Sequence, residues 1–578
     1  MTGFSQEDGR RGYDVVVVGS GAAGLAAAVT AAHHGARVLV LEKADVVGGT
    51  TAWSGGWMWI PRNPLAERAG IREDIDTIKT YLRALIGDLY EEERVEAFLA
   101  AAPRMVSFFE ANTCVQFVDG NRIPDMHGAL PGAGLGGRSV CAASFDGRHL
   151  GKSIGLLREP LAETAFFGMG IASGADLGHF LSAGRSVRSA IHVTRRFLRH
   201  LADRAVHGRG MHLVNGNALA ARLLKSALDL GVDFKMEHRA ARLLRGGDRI
   251  TGVAAIGPDA SEVVFQARRG VVLASGGFPQ DPEFRRRFFA HAPTGVEHWS
   301  AAPQTNTGDG LRLAMTAGAV LSEGERQPGA WVPVSLAPRL DGSRHPFPHF
   351  IDRAKPGLIA VLPSGHRFVN EADGYHDVLS RLLESTPAGR LPEAWLICDH
   401  RFLRRYGLGH ARPAPVPVGW HLKTGYLKRA GTIPALAEAC GIDRHGLEQT
   451  ISDYNRGASA GRDSAYGRGE SPFNRAGGDA SVSPNPCIAP LRQTPFYAVR
   501  IVPGSMGTFK GLRTDAAARV LDEAGAPIAG LYAAGSDMAS IMRGTYPAGG
   551  INLGPAMTFG YVVGLQLSRD SEKADDNR

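Results

Sequence analysis

The sequence lacks the features that define several protein classes. It has five cysteines in 578 residues, and no two of them form a C-x-x-C redox or zinc pair. No stretch reaches the roughly 20 consecutive apolar residues of a transmembrane helix. The first valine run is too short for an export signal and begins a folded segment instead. These absences predict a protein of a reducing cytoplasm, with free thiols, no membrane span and no metal site.

The net charge of +8 is unevenly distributed. A cluster of arginines alternates with apolar residues such as Ile191, Val193 and Leu198. Two interpretations remain open: a solvated helix face beside a core helix, or an interfacial helix lying peripherally on anionic lipid. No recognition motif or aromatic platform supports nucleic-acid binding, so we expect none. The arginines of this basic segment are Arg185, Arg188, Arg195, Arg196, Arg199 and Arg204.

The segment Tyr13–Gly24 predicts a strand that runs directly into a glycine turn and a helix. Its consecutive valines suit a strand buried on both faces, and Gly19, Gly21 and Gly24 follow in G-x-G-x-x-G spacing. The first glycine allows the tight turn, the second admits a pyrophosphate, and the third lets the helix pack on the strand. The N–H groups of the first helical turn can then bind phosphate.

A second predicted strand, Ala36–Leu41, ends at Glu42, 18 residues after Gly24. An acidic side chain there can accept hydrogen bonds from a ribose diol. This geometry serves NAD and FAD equally. Beyond Glu42, however, the glycine pairs Gly48-Gly49 and Gly55-Gly56 enclose small hydroxyl residues, so a long cofactor could lie against bare backbone there.

This glycine loop resembles that of the FAD-dependent fumarate reductase and 3-ketosteroid dehydrogenase superfamily. VVLASGG at 271–277 and GLYAAGSD at 530–537 resemble the later FAD-contacting segments of that superfamily, in the same order. The resemblance implies FAD. Because no histidine or cysteine stands in a familiar attachment context, we expect the FAD to be bound noncovalently. The cofactor-binding residues that the resemblance implies are Gly19, Gly21, Ala23, Gly24, Glu42, Lys43, Gly49, Thr50, Thr51, Ser54, Gly55, Gly56, Ala274, Ser275, Gly276, Gly535, Asp537, Asn552 and Leu553.

The expected fold is an α/β flavoprotein of two domains. A Rossmann-like FAD-binding domain, split in sequence, would comprise residues 1–285 and 490–578, with a helical basic insertion at about 150–210. An α+β substrate-capping domain would comprise residues 286–489, where the FAD motifs are absent and Pro, Arg and aromatic residues are frequent. A cleft between two domains is the usual place for a substrate.

The run Arg543–Tyr561 resembles the loop and helix of 3-ketosteroid dehydrogenases that pass beside the flavin ring. Tyr546 and Gly550 match the pair that binds the substrate carbonyl in that family. The resemblance implies that the phenol and a backbone N–H stabilise the developing enolate, as an oxyanion hole does.

The GxRFxNE pattern at 365–371 is shared across the superfamily, and the residue shortly after it distinguishes the branches. Fumarate reductases have an arginine there as proton donor, whereas this chain has Tyr375. In ketosteroid dehydrogenases that tyrosine is the base that removes the α proton. A phenol with a pKa near ~10 is a weak base at neutral pH. Tyr375 therefore needs nearby positive potential or a substrate acidified by polarisation of its carbonyl.

One family feature is missing. Those enzymes often have a further tyrosine that assists the base, and the local match here is Met126. Either another residue assists, with His127 as one option, or the substrate pocket departs from the steroid type. Tyr497 is open to two interpretations, as a cleft residue or as a core residue.

The sequence therefore predicts an FAD-dependent 1,2-desaturase of a cyclic ketone, with a 3-ketosteroid as the favoured substrate and a quinone-like external electron acceptor. Another cyclic ketone or another steroid ring position is the alternative. Reduction of a fumarate-like acid is disfavoured by Tyr375. A flavin-binding electron relay without its own substrate is disfavoured by the paired tyrosines.

Overall fold

The structure is a computed structural model that describes residues 12–569. The strands are β1 (Tyr13–Val18), β2 (Val38–Leu41), β3 (Trp57–Trp59), β4 (Phe117–Asp119), β5 (Ser139–Ala142), β6 (Phe145–Asp146), β7 (His212–Leu213), β8 (Asp233–Lys235), β9 (Arg239–Gly246), β10 (Arg249–Ile256), β11 (Glu262–Leu273), β12 (Trp299–Ser300), β13 (Gly329–Pro338), β14 (Arg344–Pro348), β15 (Leu358–Val361), β16 (Ala394–Cys398), β17 (Leu427–Ala430), β18 (Phe496–Thr508), β19 (Arg519–Leu521) and β20 (Pro527–Ala533). The helices are α1 (Ala22–His33), α2 (Pro64–Arg68), α3 (Ile75–Ile86), α4 (Glu92–Asn112), α5 (Ala175–Ser182), α6 (Val187–His207), α7 (Asn215–Asp229), α8 (Pro282–Phe288), α9 (Asp309–Thr316), α10 (Tyr375–Glu384), α11 (His400–Tyr406), α12 (Gly419–Lys423), α13 (Ile433–Cys440), α14 (Arg444–Ala458), α15 (Pro472–Gly477) and α16 (Leu553–Arg569).

The first sheet has the strand order β19-β20-β11-β1-β2-β8, with β10 and β9 added beyond β11. Strand β1 runs parallel to both neighbours, and Val16 pairs with Val271 on one side and Leu39 on the other. The four valines of β1 are fully or almost fully buried. A continuous apolar run is what a central parallel strand covered on both faces requires.

Helix α1 follows β1 through the glycine turn and packs against α16 and α7. Small residues allow the close approach of α1 and α16. A Cβ added to Gly560 would lie 2.4 Å from the carbonyl oxygen of Ala23, and one added to Gly564 would lie 2.5 Å from Cβ of Thr30. The C-terminal helix thereby closes the core around the dinucleotide-type βαβ unit.

The second sheet has the order β14-β13-β18-β16-β15, with β12 and β17 also paired to β18. Its longest strand, β18, is nearly continuously buried and carries FYAVRIVPGSMGT. Helix α10 packs against β13 on one side of this sheet. Helices α13 and α14 contribute Leu436 and Leu447 to a separate apolar cluster with Ile359 and Ile397.

The change from one sheet to the other does not fall where the sequence suggested. Residues 496–508 were expected in the FAD-binding domain, but as β18 they hydrogen-bond to β13, β16 and β17 of the second sheet. The chain rejoins the first sheet only at β19 and β20. The expected start of the capping domain at 286 shows the same kind of difference. Asp309 lies beyond it, yet forms an ion pair with Lys43 beside the first sheet.

The basic insertion forms the helical pair α5 and α6, which pack on each other. Ser186 caps α6 by accepting a hydrogen bond from the amide of Ser189, and Gly208 ends it in a left-handed conformation. Across residues 12–569, no helix is both long enough and apolar enough to cross a bilayer.

Candidate active site

A cavity of about 1190 Å³ lies at the carboxyl ends of the parallel strands of the first sheet and extends to the second sheet. This is the edge at which open α/β sheets bind their ligands. The cavity brings together nearly all of the residues predicted from the sequence, including both tyrosines. Of the predicted site residues, Gly24 and Asp537 do not line it.

The phosphate turn has the geometry that its glycines predict. Gly19 adopts φ +105°, and a Cβ there would lie 2.3 Å from the carbonyl oxygen of Ala274. Gly21 caps α1, and its own amide makes no hydrogen bond within residues 12–569. The amide of Ala22 instead donates to Oγ1 of Thr51 at 2.9 Å. Gly24 supports the turn from behind, because a Cβ there would meet the carbonyl of Gly19.

Glu42 and Lys43 line the cavity at the end of β2. Glu42 accepts hydrogen bonds from the hydroxyl of Ser20 at 2.5 Å and from the amide of Ala44 at 2.9 Å. Lys43 donates to Asp309 at 2.8 Å. The carboxylate therefore lies where a ribose would approach, while the lysine charge is paired with an acidic residue of α9.

The glycine loop after Glu42 forms a 3-10 turn over Gly49–Trp53. Oγ1 of Thr50 accepts a hydrogen bond from Nδ2 of Asn306 at 3.0 Å, and the hydroxyl of Ser54 donates to the carbonyl of Thr51 at 2.8 Å. Gly49, Gly55 and Gly56 share the cavity wall with these hydroxyl residues. Bare backbone and small polar groups thus face the space expected for the cofactor.

The distant FAD-type segments meet at the same wall. Ala274, Ser275 and Gly276 line the cavity after β11, Gly535 lines it after β20, and Asn552 and Leu553 line it at the start of α16.

Asp537 has a supporting position behind this wall. Its carboxylate is fully buried and accepts hydrogen bonds from the amides of Ser275 at 2.6 Å and Gly277 at 2.9 Å. Burial raises the pKa of Asp537, and these amides oppose that shift. The residue holds the turn after β11 in place, and its side chain is not part of the cavity surface.

The residues that line this end of the cavity fit FAD. The unpaired amide of Gly21, the glycine loop and the carboxylate of Glu42 lie along one continuous wall. They supply an anion site, a bare backbone surface and a diol acceptor, which an adenine dinucleotide requires.

Two tyrosines form the other polar centre of the cavity. Tyr375 is the first residue of α10, and Tyr546 lies in the loop before α16. A hydrogen bond of 2.8 Å joins their hydroxyl oxygens, and their rings meet edge to face with centroids 5.0 Å apart. Nδ2 of Asn552 lies 3.5 Å from the hydroxyl of Tyr546. The two phenols therefore act as one hydrogen-bonded unit.

The two phenols differ in their electrostatic surroundings. Burial raises the pKa of Tyr546 well above its ordinary value, and its neighbour Tyr375 adds to that shift. Burial also raises the pKa of Tyr375, but its hydrogen bond with Tyr546 and the charge of Arg353 oppose the rise. Both phenols therefore keep their protons at neutral pH, and the rise in pKa is opposed at Tyr375 but not at Tyr546.

Gly550 presents a backbone amide to the same cavity. Its φ of +98° suits glycine, and a Cβ would lie 2.6 Å from the carbonyl oxygen of Trp57. Its carbonyl accepts hydrogen bonds from the amides of Trp59 and Gly554, which fix the loop. Its N–H has no acceptor in the described part of the chain. The amide is therefore held in place and available to a ligand.

The position of the missing third tyrosine is occupied by Met126, whose side chain lines the cavity. His127 does not line it. Nε2 of His127 lies 3.3 Å from the carbonyl of Tyr546 and 3.6 Å from the carboxylate of Asp377. Burial raises the pKa of Asp377 to about 6. The histidine is therefore directed to a carbonyl and a carboxylate behind the cavity wall.

Some residues near the tyrosines were not predicted. The ring of Phe350 packs edge to face on Tyr375 with centroids 5.1 Å apart, and Arg353 lines the cavity nearby. At the cofactor end, Asn306 was likewise not predicted, although its side-chain amide donates a hydrogen bond to Thr50. By contrast, Tyr497 is a core residue, 4% exposed and hydrogen-bonded to His400.

The fold and the cavity define a flavoprotein oxidoreductase. A family model described as "FAD binding domain" matches residues 14–553. The chain is 34% identical to a 3-oxosteroid 1-dehydrogenase of Mycolicibacterium smegmatis, over 96% of this chain and 97% of that protein. It is 38% identical to a 4-oxocyclohex-2-ene-1-carboxylate 5-dehydrogenase of Sinomonas cyclohexanicum, over 98% of this chain and 95% of that protein.

A solved structure agrees with these sequence relatives. The 3-ketosteroid Δ1-dehydrogenase of Sterolibacterium denitrificans, in complex with 1,4-androstadiene-3,17-dione, superposes with a TM-score of 0.88 at 36% identity, covering 96% of this chain and 99% of that one. The chain belongs to the family of FAD-dependent 3-ketosteroid dehydrogenases and is an oxidoreductase that acts on CH–CH groups. The predicted family, fold class and cofactor are confirmed.

Proposed function

We propose that the protein introduces a double bond next to the carbonyl of a 3-ketosteroid, between the α and β carbons of the ketone ring. The observation that carries this proposal is the pair of hydrogen-bonded phenols beside an unpaired backbone amide, in the cavity that fits FAD. The likeness to 3-oxosteroid 1-dehydrogenases over the full chain supports the same reaction.

In the proposed mechanism the hydroxyl of Tyr546 and the amide of Gly550 donate hydrogen bonds to the ketone oxygen. As the α proton leaves, negative charge accumulates on that oxygen, so both bonds strengthen in the transition state. Tyr375 accepts the α proton as general base. Bound FAD supplies the hydride acceptor for the hydrogen of the β carbon. The substrate thus loses one proton and one hydride, and an external acceptor such as a quinone removes the two electrons.

Apolar side chains line the cavity around the two phenols. These side chains come from β14, the loop after it, α15, β18 and the loop between β4 and β5: Phe347, Phe350, Phe473, Met506 and Met126. Such a lining favours a large hydrophobic ring system, because burial of its apolar surface stabilises binding. This supports a steroid over a small polar acid.

A second substrate class has its own support. The 4-oxocyclohex-2-ene-1-carboxylate dehydrogenase relative acts on a single-ring ketone that bears a carboxylate. The same pair of phenols would serve that ketone, so the chemistry would be unchanged. The two substrates would differ only in how they occupy the part of the cavity distant from the two phenols.

A comparison of kcat/KM for the two substrates tests the proposal. The holoenzyme is mixed with 4-androstene-3,17-dione or with 4-oxocyclohex-2-ene-1-carboxylate and an artificial electron acceptor, and kcat/KM is measured for each. The steroid proposal predicts the higher kcat/KM for the steroid. A higher value for the carboxylate would replace the steroid with the single-ring ketone.

The helical insertion is proposed to contact a membrane surface peripherally. Val187, Ile191 and Leu198 of α6 are 60% or more exposed, and the exposed Arg195 and Arg199 flank them on the helix. An apolar stripe bordered by arginines suits an interface with anionic lipid. Other residues of α5 and α6, such as Phe180 and Val193, line the cavity. A poorly soluble ketone and a membrane quinone would both be reached from that side.

A further inference from the structure

Arg353 is a buried cation of the cavity wall without a carboxylate partner. It is 3% exposed and belongs to the 3-10 turn Asp352–Ala354. No acidic side chain lies within 4 Å of its guanidinium in the described residues. Because a buried charge is costly, an unpaired one needs a reason.

The hydrogen bonds of Arg353 go to backbone carbonyls around the start of α10. Its Nε donates to the carbonyl of His349 at 2.9 Å, and its Nη1 donates to the carbonyls of Glu371 at 2.7 Å and Asp373 at 3.1 Å. Its Nη2 makes no hydrogen bond within residues 12–569. The guanidinium thus holds the turn that leads into Tyr375, and its Nη2 group makes none of these hydrogen bonds.

We propose that Arg353 is the positioning residue that assists Tyr375 in this chain, in place of the tyrosine replaced by Met126. It would fix the turn before α10 and supply a positive charge that favours the ionised phenol. This inference rests on the proposed function of Tyr375 as base. An opposite charge near an acid lowers the pKa of that acid.

The other charged groups around the phenol do not supply this charge. Asp377 acts in the opposite direction to a positive charge, because its carboxylate raises the pKa of Tyr375. Lys43 is paired with Asp309, and His127 is directed to Asp377 and a backbone carbonyl. Tyr546 contributes a hydrogen bond and no charge. Arg353, which lines the same cavity as Tyr375, is therefore the cation whose charge lowers the pKa of Tyr375.

Asp352 and Asp373 raise the pKa of Arg353 electrostatically, but in the described residues neither forms an ion pair with it within 4 Å. Burial lowers the pKa of Arg353 to about 10, so it remains protonated at neutral pH. Asp352 accepts hydrogen bonds from Nδ1 of His349 at 2.7 Å and from the amide of Gly409 at 3.0 Å. Burial raises the pKa of Asp373, which accepts a hydrogen bond from Asn474. Arg468 lies near Arg353 and is paired with Glu371.

The test measures the ionisation of Tyr375 directly, without a substrate. The holoenzyme is labelled with 2,3,5-trifluorotyrosine, whose more acidic phenol offsets the rise that burial causes in the pKa of Tyr375. The ¹⁹F resonances of Tyr375 are assigned by their loss in Tyr375→Phe and are titrated with pH. Arg353→Met is expected to raise the pKa by about one unit or more. Asp377→Asn is expected to lower it, since it removes the opposing charge. An unchanged titration in Arg353→Met would overturn the inference.

A kinetic measurement separates this role from a structural one. With a ketone that reduces the wild-type flavin, Arg353→Met is expected to lower kcat about tenfold at neutral pH for a shift of one unit. Because the pKa of Tyr375 lies well above neutrality, the loss should be similar at every pH below that pKa. KM should change little, and Arg353→Lys should recover part of the rate. A kcat equal to that of the wild type, or no recovery in Arg353→Lys, would overturn the inference.

Lys355→Met is the matched control. Lys355 also lines the cavity, but its Nζ donates to the carbonyl of Gly478 at 2.6 Å. We expect no shift in the titration of Tyr375 in this variant. If no ketone reduced the wild-type flavin, the proposed function would fail, whereas the fluorine titration would still decide the role of Arg353.

Discussion

The two ends of the cavity are built from different parts of the chain. At the end formed by the first sheet, the wall is mostly backbone and small hydroxyl groups, and much of it comes from the continuous segment between Gly19 and Gly56. At the other end, Phe350, Tyr375 and Tyr546 come from three segments far apart in sequence. The comparison suggests that cofactor binding depends on bare backbone, while the proposed ketone chemistry depends on a few side chains.

The largest effect is expected at the ketone end. Tyr375→Phe removes the proposed base and should lower the rate of flavin reduction by a ketone by about 10³-fold, since general bases contribute on that order. FAD should remain bound, because Tyr375 lies at the end of the cavity remote from the phosphate turn. Stopped-flow absorbance of the flavin measures the rate. Tyr497→Phe, at a buried tyrosine outside the cavity, should leave it unchanged.

Tyr546→Phe should have the next largest effect. It removes one of two proposed donors to the ketone oxygen, which costs about 10²-fold in kcat by analogy with other oxyanion sites. The amide of Gly550 would remain, so activity should not vanish. Steady-state kinetics with an artificial electron acceptor measures kcat for the variant and the wild type. A rate equal to that of the wild type would show that the phenol does not contact the carbonyl.

At the cofactor end, Gly21→Ala should weaken FAD binding about tenfold, which is 1.4 kcal/mol. The fold has room for the methyl group, because the nearest atom to a Cβ there is Oγ1 of Thr51 at 3.7 Å. The methyl would instead occupy the space that a pyrophosphate needs. Fluorescence titration of the apoprotein measures the affinity.

Gly155→Ala is the control for that prediction, since a Cβ there meets nothing within 4 Å. Equal FAD affinity in Gly21→Ala and the wild type would mean that the cofactor does not approach this backbone.

The smallest effect is expected outside the cavity. Leu198→Glu places a carboxylate on the exposed apolar stripe of α6 and should reduce co-sedimentation with anionic phosphatidylserine vesicles several-fold. Activity on a ketone delivered in detergent should not change. Leu340→Glu, at a fully exposed leucine elsewhere, is the matched control. If neither variant changed vesicle binding, α6 would not be the contact surface.

The sequence predicted the cofactor end well because its determinants are local. The turn at Gly19–Gly24 and the acidic residue after β2 belong to one short βαβ segment, and Gly19 and Gly24 each have a steric reason in the structure. The role of Asp537 was harder to foresee, since its burial beneath Ser275 depends on two strands brought together only by the fold.

The features that the sequence did not predict depend on contacts between segments far apart in the chain. Residues 496–508 join the second sheet because β18 hydrogen-bonds to strands that precede it by many residues. The local sequence pattern does not indicate which strands those are. Arg353 stands in a segment without a motif, and only the fold reveals that its side chain is buried beside Tyr375. Both tyrosines were identified through family resemblance, and their hydrogen bond is a finding of the structure.

The most direct test of the central claim is anaerobic mixing of the holoenzyme with 4-androstene-3,17-dione deuterated at the carbons to be desaturated. The account predicts rapid bleaching of the flavin, slowed both by deuterium on the α carbon and by deuterium on the β carbon, with a 1,4-diene-3-one as product. A flavin that stays oxidised with this steroid and with simple cyclic ketones would contradict it.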